Sequence, residues 1–391
     1  MIKKFLFFLV ISCSFLLGNK ISNQKVLLNA ESFGFGPSAA IAQIFTYLRD
    51  HINHISYIGT GHTLDLQNKL PYNAIYNYEE PDIATQKNNF SEIVKNYDVF
   101  ITATDFQAAQ WAKELGLKVI IYDPLTWYWS NIPPIIKKAD LYISQNFLGV
   151  AQRLKSTAFP TKSVLIPPIV KIPPSKIETD HILVNTGGLF NPFIEQKNLL
   201  DFAHILFNSI DDILKNYDQH IDYVSNQAIA RSISTIPIKT MQPSEIQVTL
   251  NNAQFAIMTP GLGNIYEAAA MKKYVIWLPP ANDSQGQQIQ LLRDNNISDY
   301  AIDWHEILDN QNPIDYRKPQ EEVLIQISHC IQRLSCEKKA QKKFKELVYK
   351  YIIDIKCNLN KKPSLTKLID LFGENGTQIA AHKILEALHD F

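Results

Sequence analysis

Short continuous apolar runs alternate along this chain with longer stretches whose apolar residues recur every three or four positions. The first kind reads as buried strand and the second as amphipathic helix. "KVLLNA" (25–30) predicts a strand, "ESFGFGPS" (31–38) a turn, and "AAIAQIFTYLRDH" (39–51) a helix. "HISYIG" (54–59), "DVFITAT" (98–104), "KVIIYDP" (118–124), "ADLYISQ" (139–145) and "SVLIPP" (163–168) predict further strands. Between them "DFQAAQWAKELG" (105–116) predicts a helix that stops at Gly116, a residue that readily takes the left-handed backbone of a helix end. Apolar strands separated by helices predict a parallel sheet covered on both faces.

The pattern then breaks at "IPPIVKIPPSKIETD" (166–180). Its Pro-Pro pairs cannot join a central strand or a helix interior, so this is a stiff, extended connector. Beyond it the alternation restarts with "HILVNTGG" (181–188), "IDYVSN" (221–226), "AQFAIMTPG" (253–261) and "KYVIWLPP" (273–280). The end of the chain is helical, with Phe344, Leu347, Val348, Tyr351, Ile352 and Ile355 on one stripe. The expected division is an apolar segment 1–24, an α/β domain 25–165, the connector 166–180, a second α/β domain 181–335 and helices 336–391. A length of 391 residues agrees with two domains, since one domain is usually ~100–200 residues.

Charge removes some functions. Lys and Arg (38) balance Asp and Glu (38), so no basic stripe favours nucleic acid as a partner. The four cysteines, Cys13, Cys330, Cys336 and Cys357, form neither a CxxC pair nor a dense framework, which argues against disulfides and zinc. Lys338, Lys339, Lys342, Lys343 and Lys345 read as a solvated helix face, or as a face attracted to anionic lipid. Lys3 and Lys4 precede an apolar run from Phe5 to Leu17, as in a signal-like core. At ~1.5 Å per residue this run is too short to span a ~30 Å hydrocarbon core. It is compatible with a cytoplasmic protein held at the inner face of the membrane, or alternatively with export.

The stretch "TPGLGNIYEAAA" (259–270) carries the most chemistry. A strand ends in a turn with Gly261 and Gly263 and feeds directly into a helix, leaving backbone N–H groups unpaired at the helix start. Those donors and the positive end of the helix dipole make an anion site. A P-loop needs Gly-Lys-Ser/Thr here and a dinucleotide fingerprint needs a glycine where Tyr266 stands. Glu267, one turn of ~5.4 Å further on, suits the ribose of a nucleotide whose diphosphate sits at the helix start, because a carboxylate accepts two hydrogen bonds from a vicinal diol. A first-turn glutamate favoured by the dipole is the plainer reading of the same residue.

"TPGLGNIYEAAAMKKYVIWLPPANDSQGQQ" resembles the nucleotide-sugar signature of GT-B glycosyltransferases, the group of the UDP-glucosyl and UDP-glucuronosyl transferases and the peptidoglycan N-acetylglucosaminyl transferase. The resemblance implies an α/β GT-B fold, two Rossmann-like domains facing each other across a cleft with a C-terminal helical tail. It implies that Glu267 holds the ribose, that the Gly261–Asn264 turn holds the diphosphate, and that Asp283 with Gln285 contacts the donor sugar. Thr259 stands where many members carry histidine, and "MKK" replaces a small-residue turn. "NTGGL" (185–189), with Gly187 and Gly188, matches the glycine turn that opens the second domain. "ESFGFGPSAA" (31–40), with Gly34 and Gly36, matches the loop that faces the acceptor. "DPLTWYW" (123–129) and "GENGTQIAAHKILEAL" (373–388) look most like cytosylglucuronate-synthase-type members.

The implied activity moves a sugar from a UDP-sugar co-substrate to a small acceptor by inversion, with no metal and no cofactor. A base should then project from the C-terminal end of a strand. Glu31, Asp123 and, ranked behind them, Asp105 stand there, and the plainer reading of each is a loop carboxylate that caps a helix. His62 in "GTGHTLD" is a fourth candidate, whose plainer reading is a loop histidine. Trp127, with its aromatic neighbours, would stack on a flat or sugar-like acceptor. Two other functions share the same two-domain design, a nucleotide-sugar 2-epimerase and a periplasmic two-domain ligand-binding protein.

Overall fold

The computed structural model describes residues 22–32, 35–61, 63–156, 159–170, 172–173, 180–189 and 194–391. Gly34, His62 and the apolar run Phe5–Leu17 lie outside the described residues. The first half of the chain builds strands β1 (Ser22–Ala30), β2 (Ile52–Gly59), β3 (Ile75–Asn77), β4 (Val99–Ala103), β5 (Lys118–Asp123), β6 (Leu141–Gln145) and β7 (Ser163–Ile166). The second builds β8 (His181–Asn185), β9 (His220–Val224), β10 (Ile238–Lys239), β11 (Phe255–Met258), β12 (Val275–Trp277) and β13 (Tyr300–Ala301).

These strands form a seven-stranded sheet in the order β3-β2-β1-β4-β5-β6-β7 and a six-stranded sheet in the order β10-β9-β8-β11-β12-β13. Every pairing is parallel. Two Rossmann-like sheets with a helical tail are the GT-B arrangement expected above. In each sheet the strand order runs outward in both directions from one central pair, β1/β4 in the first and β8/β11 in the second. A crevice opens outside the carboxyl ends of the strands at such a reversal, and ligands of open α/β sheets bind there.

The three strands without a counterpart in the pattern, β3, β10 and β13, are all short and all at sheet edges. β3 and β10 are only partly buried and β13, though buried, spans two residues, so none of the three carries a continuous apolar run to mark it. The central strands β4, β6, β8 and β11 are buried at every position.

Helices seal both faces of each sheet. Ile41, Ile44 and Phe45 of the helix Gly36–Leu48 pack under the first sheet, and Phe90, Val94 and Trp111 cover its other face. In the second half, Phe202, Leu206 and Ile210 of Gln196–Leu214 meet Phe344, Val348 and Ile352 of Lys338–Asn358. This confirms the stripe read from sequence, with Leu347 and Tyr351 packed at its margin. Its lysines are offset by acids on the same surface: Lys339 pairs with Asp309 at 2.6 Å and Lys342 with Glu346 at 3.8 Å. Lys345 pairs with Asp212. No helix among the described residues is long and apolar enough to cross a membrane.

The tail does not stay with the second half. Leu365 and Leu368 join the cluster around Ile265 and Tyr266, but the helix Gly376–Asp390 crosses back and buries Ala380, Ile384 and Leu388 against the first sheet. Each large buried side chain contributes about 1.5–3 kcal/mol. The crossing is stitched to the Pro-Pro connector: the Gly376 N–H donates to Pro168 O at 3.0 Å. A Cβ on Gly376 would meet the Pro167 carbonyl oxygen at 2.0 Å, so only glycine fits.

Candidate functional site

The reversal of the second sheet lies between β8 and β11, where Asn185 registers with Met258. Just past those residues the chain makes two glycine turns. After β8, Gly187 N–H donates to the Asn185 side chain at 2.9 Å, and Gly187–Leu189 forms a single 3-10 turn that includes Gly188. After β11, Thr259 N–H donates to Asn185 O at 3.1 Å, tying the two turns together.

The helix Leu262–Ala270 starts at this point with no side-chain cap. Asn264 reaches back to the Thr259 carbonyl at 3.0 Å and closes the turn from inside. Gly263 is exposed with open space where a side chain would be. Among the described residues no side chain caps the mouth of the helix, and its first amides and the positive end of its dipole lie past the carboxyl ends of β8 and β11. Thr259 itself is wholly buried, and its hydroxyl finds no hydrogen-bond partner among the described residues.

Glu267 is half-buried one turn in, and Gln247 of the helix Pro243–Asn252 donates to its Oε1 at 2.9 Å. Burial pushes its carboxyl up to about 7, partly opposed by that hydrogen bond. Gln247 had no local signal, since it comes from a neighbouring helix. The same helix, with the end of β10, walls a depression of about 620 Å³ lined by Lys239, Met241, Ser244 and Val248 among others.

The reversal of the first sheet lies between β1 and β4, where Ala30 registers with Ala103. Here the chain presents carboxylates in place of bare amides. Glu31 N–H donates to Ala103 O at 2.9 Å, and its own Oε1 accepts from Ser32 N–H at 2.9 Å. Asp105 is buried opposite, accepting from the Tyr78 hydroxyl at 2.7 Å and from Ala108 N–H at 2.9 Å as a helix cap. Burial pushes the Glu31 carboxyl up to about 7, and the Asp105 charge adds to the shift. The Asp105 carboxyl is raised too, by burial above all. Thr104, between β4 and Asp105, holds φ at 62°. A β-branched residue rarely takes this left-handed backbone, which stores on the order of 1–3 kcal/mol and aims Asp105 inward. Gly36 begins the adjacent helix, exposed and without a side-chain cap.

Two expectations change here. Asp123 is completely buried and accepts from Leu125 N–H at 2.6 Å, Trp129 Nε1 at 2.9 Å and the Tyr142 hydroxyl at 2.6 Å. Burial raises its carboxyl to about 6. Held by three protein donors and sealed from solvent, it anchors the turn after β5 and is not exposed to an acceptor. Trp127 is buried as well, its Nε1 donating to Pro124 O at 3.0 Å and its ring 5.5 Å from Phe147. It belongs to the apolar contact between the halves, where Phe147 also meets Tyr266. The half-open aromatics of this turn are Tyr128 and Trp129.

On the second half, Asn282 caps the helix Asp283–Asp294 by accepting from Gln285 N–H at 2.9 Å. The Gln285 side-chain oxygen accepts from Ala281 N–H at 2.8 Å, and Gln285 is buried. Asp283 accepts from the hydroxyl of Tyr128, a residue of the first half, and from Gln320 at 3.5 Å. Among the described residues no group of three or more His, Cys, Asp or Glu is placed to hold a metal ion.

No family model matches the chain, and no curated protein matches it. Among solved structures, it is similar to the glycotransferase of kitacinnamycin at 13% identity, covering 94% of this chain and 100% of that one with a TM-score of 0.49. Arabidopsis thaliana UGT89C1 complexed with UDP aligns at 9% identity, with coverage of 92% and 99% and a TM-score of 0.49. UDP-GlcNAc 2-epimerase from Methanocaldococcus jannaschii aligns at 12% identity, with coverage of 83% and 99% and a TM-score of 0.45. The site itself rests on the geometry above.

Proposed function

We propose that this chain is a glycosyltransferase that takes a sugar from a nucleotide-diphosphate donor, a UDP-sugar, and passes it to a small acceptor with inversion. The observation that carries this reading is the unsealed helix mouth at the reversal of the second sheet, with Glu267 one turn inside it. The amides of Gly261–Asn264 and of the Gly187–Gly188 turn hold the diphosphate. Glu267 exchanges its Gln247 hydrogen bond for the ribose diol.

Chemistry follows from the opposite reversal. Glu31 takes the acceptor's hydroxyl proton, the acceptor oxygen forms its bond to the sugar carbon, and the bond from that carbon to the diphosphate oxygen breaks. Charge develops on the leaving diphosphate, where preorganised helix-start amides stabilise it most. A base works best with a proton affinity near the working pH, which the value of about 7 at Glu31 satisfies. Asp105 touches no reacting atom; it keeps that affinity high. Asp123 is assigned to holding its turn.

Thermal unfolding of the full chain with UDP and a panel of UDP-sugars tests the reading. Stabilisation by UDP in the wild type, absent in Glu267→Ala, supports it. Stabilisation only by unrelated metabolites, or by UDP equally in both proteins, overturns it.

A further inference from the structure

We infer that Tyr128 is a specificity residue for the sugar portion of the donor: its hydroxyl occupies the hydrogen-bonding position on Asp283 that a donor-sugar hydroxyl must take over. This rests on the donor reading above, with Asp283 beside the helix mouth because it opens the helix after β12, the strand next to β11, where Met258 registers with Trp277. Asp283 is 1% exposed. A carboxylate so enclosed accepts nothing from a ligand unless one of its protein partners leaves. Gln320 belongs to its own half and meets it only at 3.5 Å, whereas Tyr128 comes from across the cleft and makes the closer contact.

The turn that carries Tyr128 is built to deliver it. Asp123 fixes both ends by accepting from Leu125 N–H and Trp129 Nε1, and Thr126 lies 2.7 Å from the Ser144 hydroxyl. Arg153 donates to the Trp127 carbonyl at 3.0 Å, and the Tyr128 N–H donates to Leu125 O at 2.8 Å. A turn braced at so many points moves as one body, so its phenol leaves Asp283 when the halves shift, not by independent motion. The buried Asp123 and Trp127 thereby gain a purpose that acceptor binding did not supply. A sugar with a hydroxyl placed to replace the phenol recovers the bond to Asp283; a sugar without one leaves a buried carboxylate short of a partner, which is the strong form of discrimination.

The test is calorimetric titration of the full chain with UDP, UDP-glucose, UDP-N-acetylglucosamine and UDP-glucuronate, in the wild type, Tyr128→Phe and Trp129→Phe. In Tyr128→Phe the sugar hydroxyl no longer competes with the phenol. The affinity for the best UDP-sugar relative to UDP should rise about ten-fold, the worth of a hydrogen bond to a charged group, while UDP itself binds as before. Trp129→Phe keeps the phenol but loosens its brace, and should move the same ratio in the same direction by less. An unchanged ratio in both variants, with UDP still bound in a Glu267-dependent manner, overturns this inference alone. If none of the four compounds binds the wild type, the donor reading falls and this inference with it.

Discussion

The two sheets reverse at corresponding places and do opposite things there. Past β8 and β11 the chain presents glycine turns and an uncapped helix; past β1 and β4 it presents Glu31 and Asp105, with the left-handed Thr104 between strand and carboxylate. The second reversal is electropositive from backbone alone, so it suits an anion and needs no basic side chain. The first gathers negative charge in a buried setting, which raises proton affinity and suits an acceptor that must lose a proton. Under the proposed function, one topology thus supplies a cradle for a leaving group on one side and a base on the other. The difference lies in a handful of residues after two strand pairs.

The strongest way to break the comparison is Glu31→Gln. Loss of a general base lowers turnover by about 10²–10⁴-fold, and UDP affinity should stay at the wild-type value because the cradle is on the other sheet. Equal losses in both quantities, measured by product formation and titration, would place Glu31 in the donor site.

Next in size is Glu267→Gln, expected to weaken UDP binding about ten- to hundred-fold, the cost of a charge-assisted pair of hydrogen bonds. Turnover at saturating donor should fall far less than in Glu31→Gln.

The pH dependence sharpens the contrast further. Both carboxyls sit at about 7, above their ordinary value of 4.5. Between those values the folded chain holds protons that the unfolded chain has released, so stability is full below about 4.5 and falls as pH rises through 7. Glu267→Gln and Glu31→Gln should each flatten that fall in unfolding measured from pH 5 to 8. UDP needs Glu267 ionised to accept both ribose hydroxyls, so its affinity should rise over the same interval and the rise should vanish in Glu267→Gln. Turnover should rise through about 7 by way of Glu31, and Asp105→Asn should move that inflection downward.

The smallest effect is expected at Gly263→Ala. Alanine in place of glycine inside a helix stabilises by about 0.5–1 kcal/mol, and the space beside Gly263 is open. The variant should unfold at slightly higher temperature yet bind UDP less well, because the added methyl stands where diphosphate must approach. A variant improved in both would show that the mouth is not the cradle.

Much of this was legible before folding was considered. The buried strands announced themselves because parallel central strands are apolar on both faces. Glu31 was legible for its place after a strand, and Glu267 for its spacing from a glycine turn. The edge strands, Gln247, Tyr78 and the role of Asp123 were not. Each depends on a partner from a distant segment: Asp123 is silenced by Tyr142 and Trp129, and Gln247 meets Glu267 from the next helix.

Local sequence therefore determined the strand–helix alternation, the two-fold division and the glycine-marked helix mouth, since these follow from periodicity and backbone freedom within a few residues. Only the tertiary structure decided that Glu31 faces Asp105, that Asp123 is sealed, and that Tyr128 reaches Asp283 across the cleft. Proton affinity and access are set by what surrounds a side chain, and those surroundings are assembled from segments far apart along the chain.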